Sequence, residues 1–192
     1  MSGASEAAVP ALFLDRDGVI NEDTGYAHRP EDIVFLPGIF RLVATANGLG
    51  MPVIVVTNQA GIARGYYSEE SFHALMDWMK RQFLQNGARL DAVYHCPHHP
   101  QHGLGAYKTV CSCRKPAPGM LLQAAAAYWV DMPSSVLIGD KIHDVEAAIA
   151  AGVGTPLLLD RSGSPAGDGM DVPQQAQRIH SLDEARKLLL SR

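Results

Sequence analysis

The chain has 192 residues, of which 47% are hydrophobic and 19% are charged, a composition that excludes a wholly disordered chain or a coiled coil. Sixteen lysines and arginines against 20 aspartates and glutamates give a formal net charge of −4, which argues against nucleic-acid binding through bulk charge. No stretch approaches the roughly 18 apolar residues of a membrane helix, and residues 1–10 lack a signal-peptide pattern, so we expect a cytoplasmic protein without a membrane partner.

Short apolar runs alternate with helical patterns along the chain, and the length predicts a single domain over 1–192. Strands are predicted at 11–14, 52–57, 91–95, 135–138 and 155–159, and helices at 39–49, 68–86, 120–129, 144–151 and 181–190. Because most of the strand runs are continuously apolar, they are typical of strands buried on both faces of a parallel sheet. The pattern predicts an α/β fold, a Rossmann-like three-layer sandwich with a mainly parallel sheet, whose ligands bind at the carboxyl ends of the strands.

Polar residues stand where these strands end. Asp15 and Asp17 follow the first strand, Thr57 ends the second, and Asp140 follows the fourth. Since residues i and i+2 of an extended segment point the same way, the first two aspartates can share one site. Carboxylates so close repel one another unless a cation lies between them, and oxygen ligands favour Mg²⁺.

This set of residues is equipped to cleave a phosphate ester. A carboxylate beside Mg²⁺ can attack phosphorus, while Lys115 and the metal neutralise the phosphoryl oxygens and Thr57 holds them. Asp17 can protonate the leaving oxygen and then activate the water that cleaves the aspartyl-phosphate. Any one aspartate could be an ordinary turn residue, and Asp144 could belong to the site or simply open its helix.

The alternative from another functional class is a phospho-accepting, receiver-like signalling module. Such a module also combines strand-end carboxylates, a threonine and a lysine on a doubly wound sheet. The pair Asp15-x-Asp17 on the first strand disfavours this alternative, because a receiver takes its phosphate on a middle strand and lacks a positioned acid/base.

The three cysteines lie close together, in the pattern Cys96-x-His98-x₁₂-Cys111-x-Cys113. In each half, the i and i+2 side chains can face one ion. Three thiolates and one imidazole fill a tetrahedral shell with no open position, which predicts a structural zinc that pins a loop over about 96–113. Other histidines lie nearby, at 95, 99 and 102, but the symmetry of the two halves favours His98. Free thiols without a metal are the alternative.

The same residues carry a resemblance to the haloacid dehalogenase (HAD) superfamily of phosphatases, and within it to the heptose-bisphosphate phosphatases. The superfamily match is Asp15-x-Asp17, Thr57, Lys115 and Gly139-Asp140. The closer match consists of DRDGVIN at 15–21, TNQAGIARG at 57–65, CPHHP at 96–100, CSCRKP at 111–116, PGM at 118–120 and GDK at 139–141. The resemblance implies a HAD-like fold with a minimal cap and a zinc-binding loop. It also implies Mg²⁺-dependent hydrolysis of the C7 phosphate of D-glycero-D-manno-heptose 1,7-bisphosphate, in the route to nucleotide-activated heptose.

Residue roles follow from that resemblance. It implies that Asp15 is the nucleophile and Asp17 the acid/base, that Thr57 and Lys115 stabilise the phosphoryl group, and that Asp15, Asp140 and the backbone carbonyl of Asp17 hold Mg²⁺. The implied substrate-binding residues are Asp23, Thr24, Gly25, Tyr26, Thr57, Asn58, Gln59, Ala60, Arg114, Lys115 and Lys141. The implied zinc ligands are Cys96, His98, Cys111 and Cys113. The expected partner is a small-molecule sugar bisphosphate, and the expected oligomeric state is a monomer.

A second phosphatase activity stays open from the sequence. Histidinol-phosphate phosphatases and other small sugar-phosphate phosphatases share the motifs, and the former also share the zinc loop. Only the segments near 23–26 and Arg114 would distinguish the substrates. Arg64 could meet a distal substrate phosphate or merely follow a helical turn.

Overall fold

The computed structural model describes residues 8–162 and 172–192. The strands are β1 (Leu12–Leu14), β2 (Val53–Asn58), β3 (Ala92–Cys96), β4 (Val136–Gly139), β5 (Thr155–Leu159) and β6 (Gln177–Ile179). The α-helices are α1 (Ile39–Gly48), α2 (Ala60–Ala63), α3 (Glu69–Gln85), α4 (Gly119–Tyr128), α5 (Ile142–Ala151) and α6 (Leu182–Leu190). Part of the segment that lacks a signal-peptide pattern, residues 1–7, lies outside the described residues.

The strands form one six-stranded sheet in the order β3-β2-β1-β4-β5-β6, with every neighbouring pair parallel. This arrangement confirms the predicted α/β sandwich with a parallel sheet. The chain moves outward from β1 on one side through β2 and β3, and on the other side through β4 to β6. The order therefore switches beside β1, and in open α/β sheets ligands bind at the carboxyl ends of the strands next to such a switch.

The apolar residues of the strands face two separate cores. Leu12 and Leu14 pack into one cluster with apolar side chains of α1, α3 and α6. Phe13, which points the opposite way, packs into a second cluster with side chains of α4 and α5. Because both faces of the sheet are covered by helices, the strands read as continuous apolar runs in the sequence.

Two helix starts show the predicted caps. The Ser68 hydroxyl accepts a hydrogen bond from the backbone N–H of Ser71 at the start of α3. The Ser181 hydroxyl accepts one from the backbone N–H of Glu184 at the start of α6. The helix predicted from 144 begins two residues earlier, at Ile142. The Asp144 carboxylate accepts the backbone N–H of Lys141 at 3.1 Å, so this aspartate caps the first turn from inside the helix.

One of these strands and one of these α-helices were not predicted. Strand β6 has three residues, of which only Ile179 is buried, so its sequence carries too little apolar pattern to reveal a strand. Helix α2 spans four residues, about one turn, which is too short for a helical period to show. Within the described residues, no helix is both long enough and apolar enough to cross a membrane.

Candidate active site

A cavity of about 340 Å³ opens at the carboxyl ends of β1 and β2. Its lining includes twelve of the residues predicted from the sequence, namely Asp15, Asp17, Asp23, Gly25, Tyr26, Thr57, Asn58, Gln59, Ala60, Arg114, Lys115 and Lys141. Gly61, Tyr67 and His143, which were not predicted, line it as well. Thr24 lines a neighbouring groove instead, and Asp140 lies against Gly18 and lines a second cavity.

Lys115 forms the buried floor of the cavity. Its Nζ lies 2.9 Å from Asp15 Oδ1, 2.7 Å from Asp144 Oδ1 and 2.8 Å from the carbonyl oxygen of Val56. Burial lowers the pKa of Lys115, but the charges of Asp15 and Asp144 outweigh it, so the pKa is raised and the ammonium keeps its proton. A buried charge is tolerated only when paired in this way.

Three carboxylates converge beside this lysine. Oxygens of Asp15, Asp140 and Asp144 lie within 4.8 Å of one another. Burial, followed by the charge of Asp15, raises the pKa of Asp140 to about 7. Burial is likewise the main cause that raises the pKa of Asp15 to about 6. Among the described residues, the buried Oδ1 of Asp140 has no hydrogen-bond donor. An all-oxygen set with such an oxygen fits a hard divalent cation.

Gly18 makes this convergence possible. A Cβ at that position would lie 2.2 Å from the Asp140 carboxylate, and the backbone of Gly18 has a φ of +87°. Both facts restrict the position to glycine. The turn after β1 therefore passes directly against the carboxylate that follows β4.

The Asp17 carboxylate is held by Gln59 and by two side chains, Arg16 and Asn21, that sequence reasoning did not assign to the site. Arg16 donates to both of its oxygens at 2.8–3.0 Å, and Asn21 donates at 3.1 Å. Gln59 donates at 3.2 Å from the next strand end. Arg16 is fully buried and also donates to the carbonyl of Ala27 at 2.9 Å. These donors fix the direction of Asp17 while its carboxylate still lines the cavity.

Gln59 and Thr57 form a second fixed arrangement. The Gln59 amide donates to Thr57 Oγ1 at 2.8 Å and accepts the Tyr67 hydroxyl at 2.6 Å. Because the threonine oxygen already accepts a hydrogen bond from Gln59, its own O–H is left to donate into the cavity. The Gln59 side chain, which was predicted to bind substrate, is occupied by these contacts and by Asp17.

Asn58, also predicted to bind substrate, has both side-chain polar atoms engaged by the backbone of Lys115. Its Oδ1 accepts the Lys115 amide at 3.0 Å, and its Nδ2 donates to the Lys115 carbonyl at 3.1 Å. The end of β2 is thereby tied to the segment that delivers Lys115. This contact joins positions 57 residues apart, so no local sequence pattern could reveal it.

The mouth of the cavity carries both signs of charge. Lys141 Nζ pairs with Asp23 at 2.9 Å, and Tyr26 is 45% exposed and lies edge-on to Tyr66. Arg114, which also lines the cavity, donates to the carbonyl of His98 at 3.1 Å. Arg114 and Lys115 lie in a turn rather than on an extended segment, because the amide of Ala117 donates to the carbonyl of Arg114 at 2.9 Å. Their side chains still diverge, Lys115 to Asp15 and Asp144 and Arg114 to the carbonyl of His98.

The cysteine-rich segment folds into a compact cluster directly before Arg114. The sulfur of Cys113 lies 3.1 Å from that of Cys96 and 3.2 Å from that of Cys111, and the Nδ1 of His98 lies 3.4 Å from Cys113 Sγ. All three cysteines are free, and the separations exceed the S–S bond length of about 2.04 Å. Four converging ligand atoms of this type fit a closed tetrahedral metal site.

Comparison with known proteins identifies relatives over most of the chain. The HAD-hydrolase-like family model matches residues 112–185. A curated D-glycero-beta-D-manno-heptose-1,7-bisphosphate 7-phosphatase of Vibrio cholerae serotype O1 is 52% identical over 158 residues, covering 82% of this chain and 84% of that protein. A D-glycero-alpha-D-manno-heptose-1,7-bisphosphate 7-phosphatase of Burkholderia mallei is 56% identical over 155 residues, covering 80% and 82%.

A solved structure agrees with these relatives. The D,D-heptose 1,7-bisphosphate phosphatase from B. bronchiseptica, complexed with magnesium and phosphate, matches with a TM-score of 0.83 and 32% identity. The match covers 95% of this chain and 99% of that one. The similarity of fold thus extends over nearly the whole of both chains.

Proposed function

This chain belongs to the D-glycero-D-manno-heptose-1,7-bisphosphate 7-phosphatases of the HAD superfamily, and from that membership we propose that it removes the C7 phosphate of the bisphosphate through an aspartyl-phosphate. The resemblance predicted from the motifs is confirmed, and the protein is a phosphoric monoester hydrolase. One observation carries the chemistry: Asp15 lies at the cavity floor, paired with a protonated Lys115 and flanked by further carboxylates.

In the first half of the reaction, Asp15 attacks the phosphorus of the 7-phosphate and the bond to the sugar oxygen breaks. Asp17 gives that oxygen a proton, so heptose 1-phosphate leaves as a neutral alcohol at C7. Lys115 neutralises charge on the phosphoryl oxygens, and the free Thr57 O–H donates to one of them. The donors around Asp17 keep its carboxyl directed at the leaving oxygen.

In the second half, Asp17 takes a proton from a water molecule as that water attacks the aspartyl-phosphate. The bond between phosphorus and Asp15 breaks, which returns the free carboxylate and releases phosphate. Asp15, Asp140 and the backbone carbonyl of Asp17 would hold Mg²⁺, with Asp144 beside them and paired with Lys115. When bound, Mg²⁺ supplies positive charge to the phosphoryl oxygens.

We also propose that Cys96, His98, Cys111 and Cys113 hold a structural Zn²⁺. This ion would fix the loop over 96–113 and, through Cys113, the start of the segment that carries Arg114 and Lys115. The hydrogen bond from Arg114 to the carbonyl of His98 supports this coupling, because it joins the cavity wall to a zinc ligand.

We propose one domain, active as a monomer in the cytoplasm, where its charged substrate is retained because a bisphosphate does not cross a membrane unaided. One continuous sheet with both faces covered supports the single domain. Light scattering and cell fractionation test these points.

A phosphate-release panel tests the substrate assignment. It contains both anomers of D-glycero-D-manno-heptose 1,7-bisphosphate, histidinol phosphate and fructose 1,6-bisphosphate, each with saturating Mg²⁺. At least one heptose anomer should give the highest kcat/KM. A higher value for histidinol phosphate would contradict the proposed substrate while leaving the phosphatase chemistry intact.

Replacing Cys111 by serine should remove the zinc and lower the melting temperature together, because metal-binding free energy is part of folding free energy in such loops. Metal analysis should find about one Zn²⁺ per chain in the parent. His99→Ala is the matched control, since it removes a neighbouring histidine outside the cluster and should keep the zinc. If the parent contains no zinc and melts at the same temperature as Cys111→Ser, the cysteines are ordinary thiols and the zinc proposal is wrong.

The affinity for Mg²⁺ should rise with pH. The pKa values of Asp15 and Asp140 are raised to about 6 and about 7 in the metal-free protein, so both hold protons near pH 5, and those protons must leave before an ion binds. We expect affinity to increase by up to about tenfold per pH unit for each released proton, and to level off about one pH unit above the higher of the two pKa values, near pH 8. Calorimetric titrations with Mg²⁺ from pH 5 upward measure this dependence. An affinity that stays constant with pH would contradict the prediction.

Arg114→Ala should reduce kcat/KM for the bisphosphate more than for a small monophosphate, by on the order of 1–3 kcal/mol. Arg114 lines the cavity and donates to the carbonyl of His98, whereas Lys115 pairs with Asp15 and Asp144, so the two cations act at different places. The planar fork of Arg114 suits the second phosphate or the sugar hydroxyls. Arg41→Ala, an exposed pair partner of Asp183, serves as the control. An equal loss on both substrates would rule out a specificity role for Arg114.

A further inference from the structure

A second group of metal-ligating side chains lies outside the cavity and outside the cysteine cluster. Glu69, His73 and His95 each bring one ligand atom to within 4.8 Å of the others. The first two are on α3 and the third is on β3, so the group bridges a helix and the sheet. Nothing in the proposed phosphatase mechanism uses these residues.

The local structure explains why they converge. Glu69 and His73 are four positions apart on one helix, which places them on the same face one turn apart. The Nε2 of His95 lies 3.1 Å from Glu69 Oε2. The ring of His73 stands perpendicular to that of His95, with 5.1 Å between centroids. The Phe72 ring packs 4.5 Å from His95 and fixes its orientation.

The carboxylate has a supporting partner of the kind that metal ligands have. The Tyr107 hydroxyl donates to Glu69 Oε1 at 2.7 Å, which leaves Oε2 for the histidine side of the cluster. Partners of this type orient ligating carboxylates in metal sites. Tyr107 belongs to the loop over 96–113, so the cluster also contacts the segment that carries the cysteines.

We propose that Glu69, His73 and His95 form a second metal site, which takes a divalent transition ion such as Zn²⁺ or Ni²⁺ from solution. Two imidazoles with one carboxylate favour these ions over Mg²⁺, which prefers oxygen ligands. His73 is exposed and gives the ion a route of entry, while Glu69 and His95 are partly buried and held in place. Water would complete the shell. The bound ion would join the first turn of α3 to the end of β3, beside Cys96.

Calorimetric titration with Ni²⁺ tests the site. The protein carries its full zinc complement and saturating Mg²⁺, so the cysteine cluster and the carboxylate cluster are occupied beforehand. We expect one further equivalent of Ni²⁺ to bind at neutral pH. His73→Ala should weaken that binding at least tenfold, and the zinc content and phosphatase activity should not change. X-ray absorption at the nickel edge should show nitrogen and oxygen ligands without sulfur.

His102→Ala is the matched control. His102 is exposed and its ring lies 4.8 Å from that of His99, which makes this pair a competing site for Ni²⁺. The control should bind Ni²⁺ like the parent. Absence of a further equivalent, equal binding by His73→Ala, or loss of binding in His102→Ala would each overturn the proposal. Because His73 is exposed, its variant should melt like the parent without Ni²⁺; His73→Gln replaces it if it does not.

Discussion

Asp15→Asn should lower the rate of phosphate release by on the order of 10⁴-fold or more, the scale of loss when a nucleophile is removed. The amide has no anionic oxygen with which to attack phosphorus, so no aspartyl-phosphate can form. Its carbonyl oxygen can still accept the hydrogen bond from Lys115, which also keeps its pair with Asp144. We therefore expect a folded protein without turnover.

The matched control for this variant is Asp131→Asn. Asp131 accepts a hydrogen bond from the amide of Ser134 in an exposed turn away from the cavity, so its variant should retain parental turnover. Both variants should give circular dichroism spectra like that of the parent. A folded Asp15→Asn protein with more than a few per cent of parental activity would reject Asp15 as the nucleophile.

Asp17→Asn should lower the rate by at least about 10²-fold, the usual scale of general acid–base catalysis. The asparagine amide can neither protonate the sugar oxygen nor accept the proton of water. Aryl phosphates have leaving groups that need little protonation, so the loss should be smaller for an aryl phosphate than for the sugar bisphosphate. Steady-state rates on both substrates measure the difference.

A structural role for Asp17 would give another result. Arg16, Asn21 and Gln59 all donate to this carboxylate, so the asparagine variant could also shift the turn after β1. Such a shift would lower the rates on both substrates by the same factor. Equal losses would therefore remove Asp17 from the acid/base role.

The sheet could be predicted because its strands are buried on both faces and read as unbroken apolar runs. Strand β6 could not, because only Ile179 of its three residues is buried. The carboxylates and Lys115 could be placed at one edge because parallel strands end together. From the sequence, Asp144 could either belong to the site or open its helix. In the structure it does both, because it caps α5 and pairs with Lys115.

The supporting contacts of the site were beyond sequence reasoning. Arginine is rarely fully buried, so nothing in the local pattern marks Arg16 as the residue that orients Asp17. Two further contacts join residues that are distant in sequence. Asn58 hydrogen-bonds to the backbone of Lys115, and Glu69 contacts His95. Such contacts follow from the packed fold, and side-chain type and spacing do not determine them.

We expect this protein to remove the C7 phosphate of heptose 1,7-bisphosphate and to spare the phosphate at C1. Phosphorus NMR of the reaction mixture tests it most directly, because the two esters and free phosphate give separate signals. With Mg²⁺ and catalytic protein, the C7 signal should disappear as inorganic phosphate appears, and the C1 signal should remain. Loss of the C1 signal first, or an unchanged spectrum with either anomer, would contradict the account.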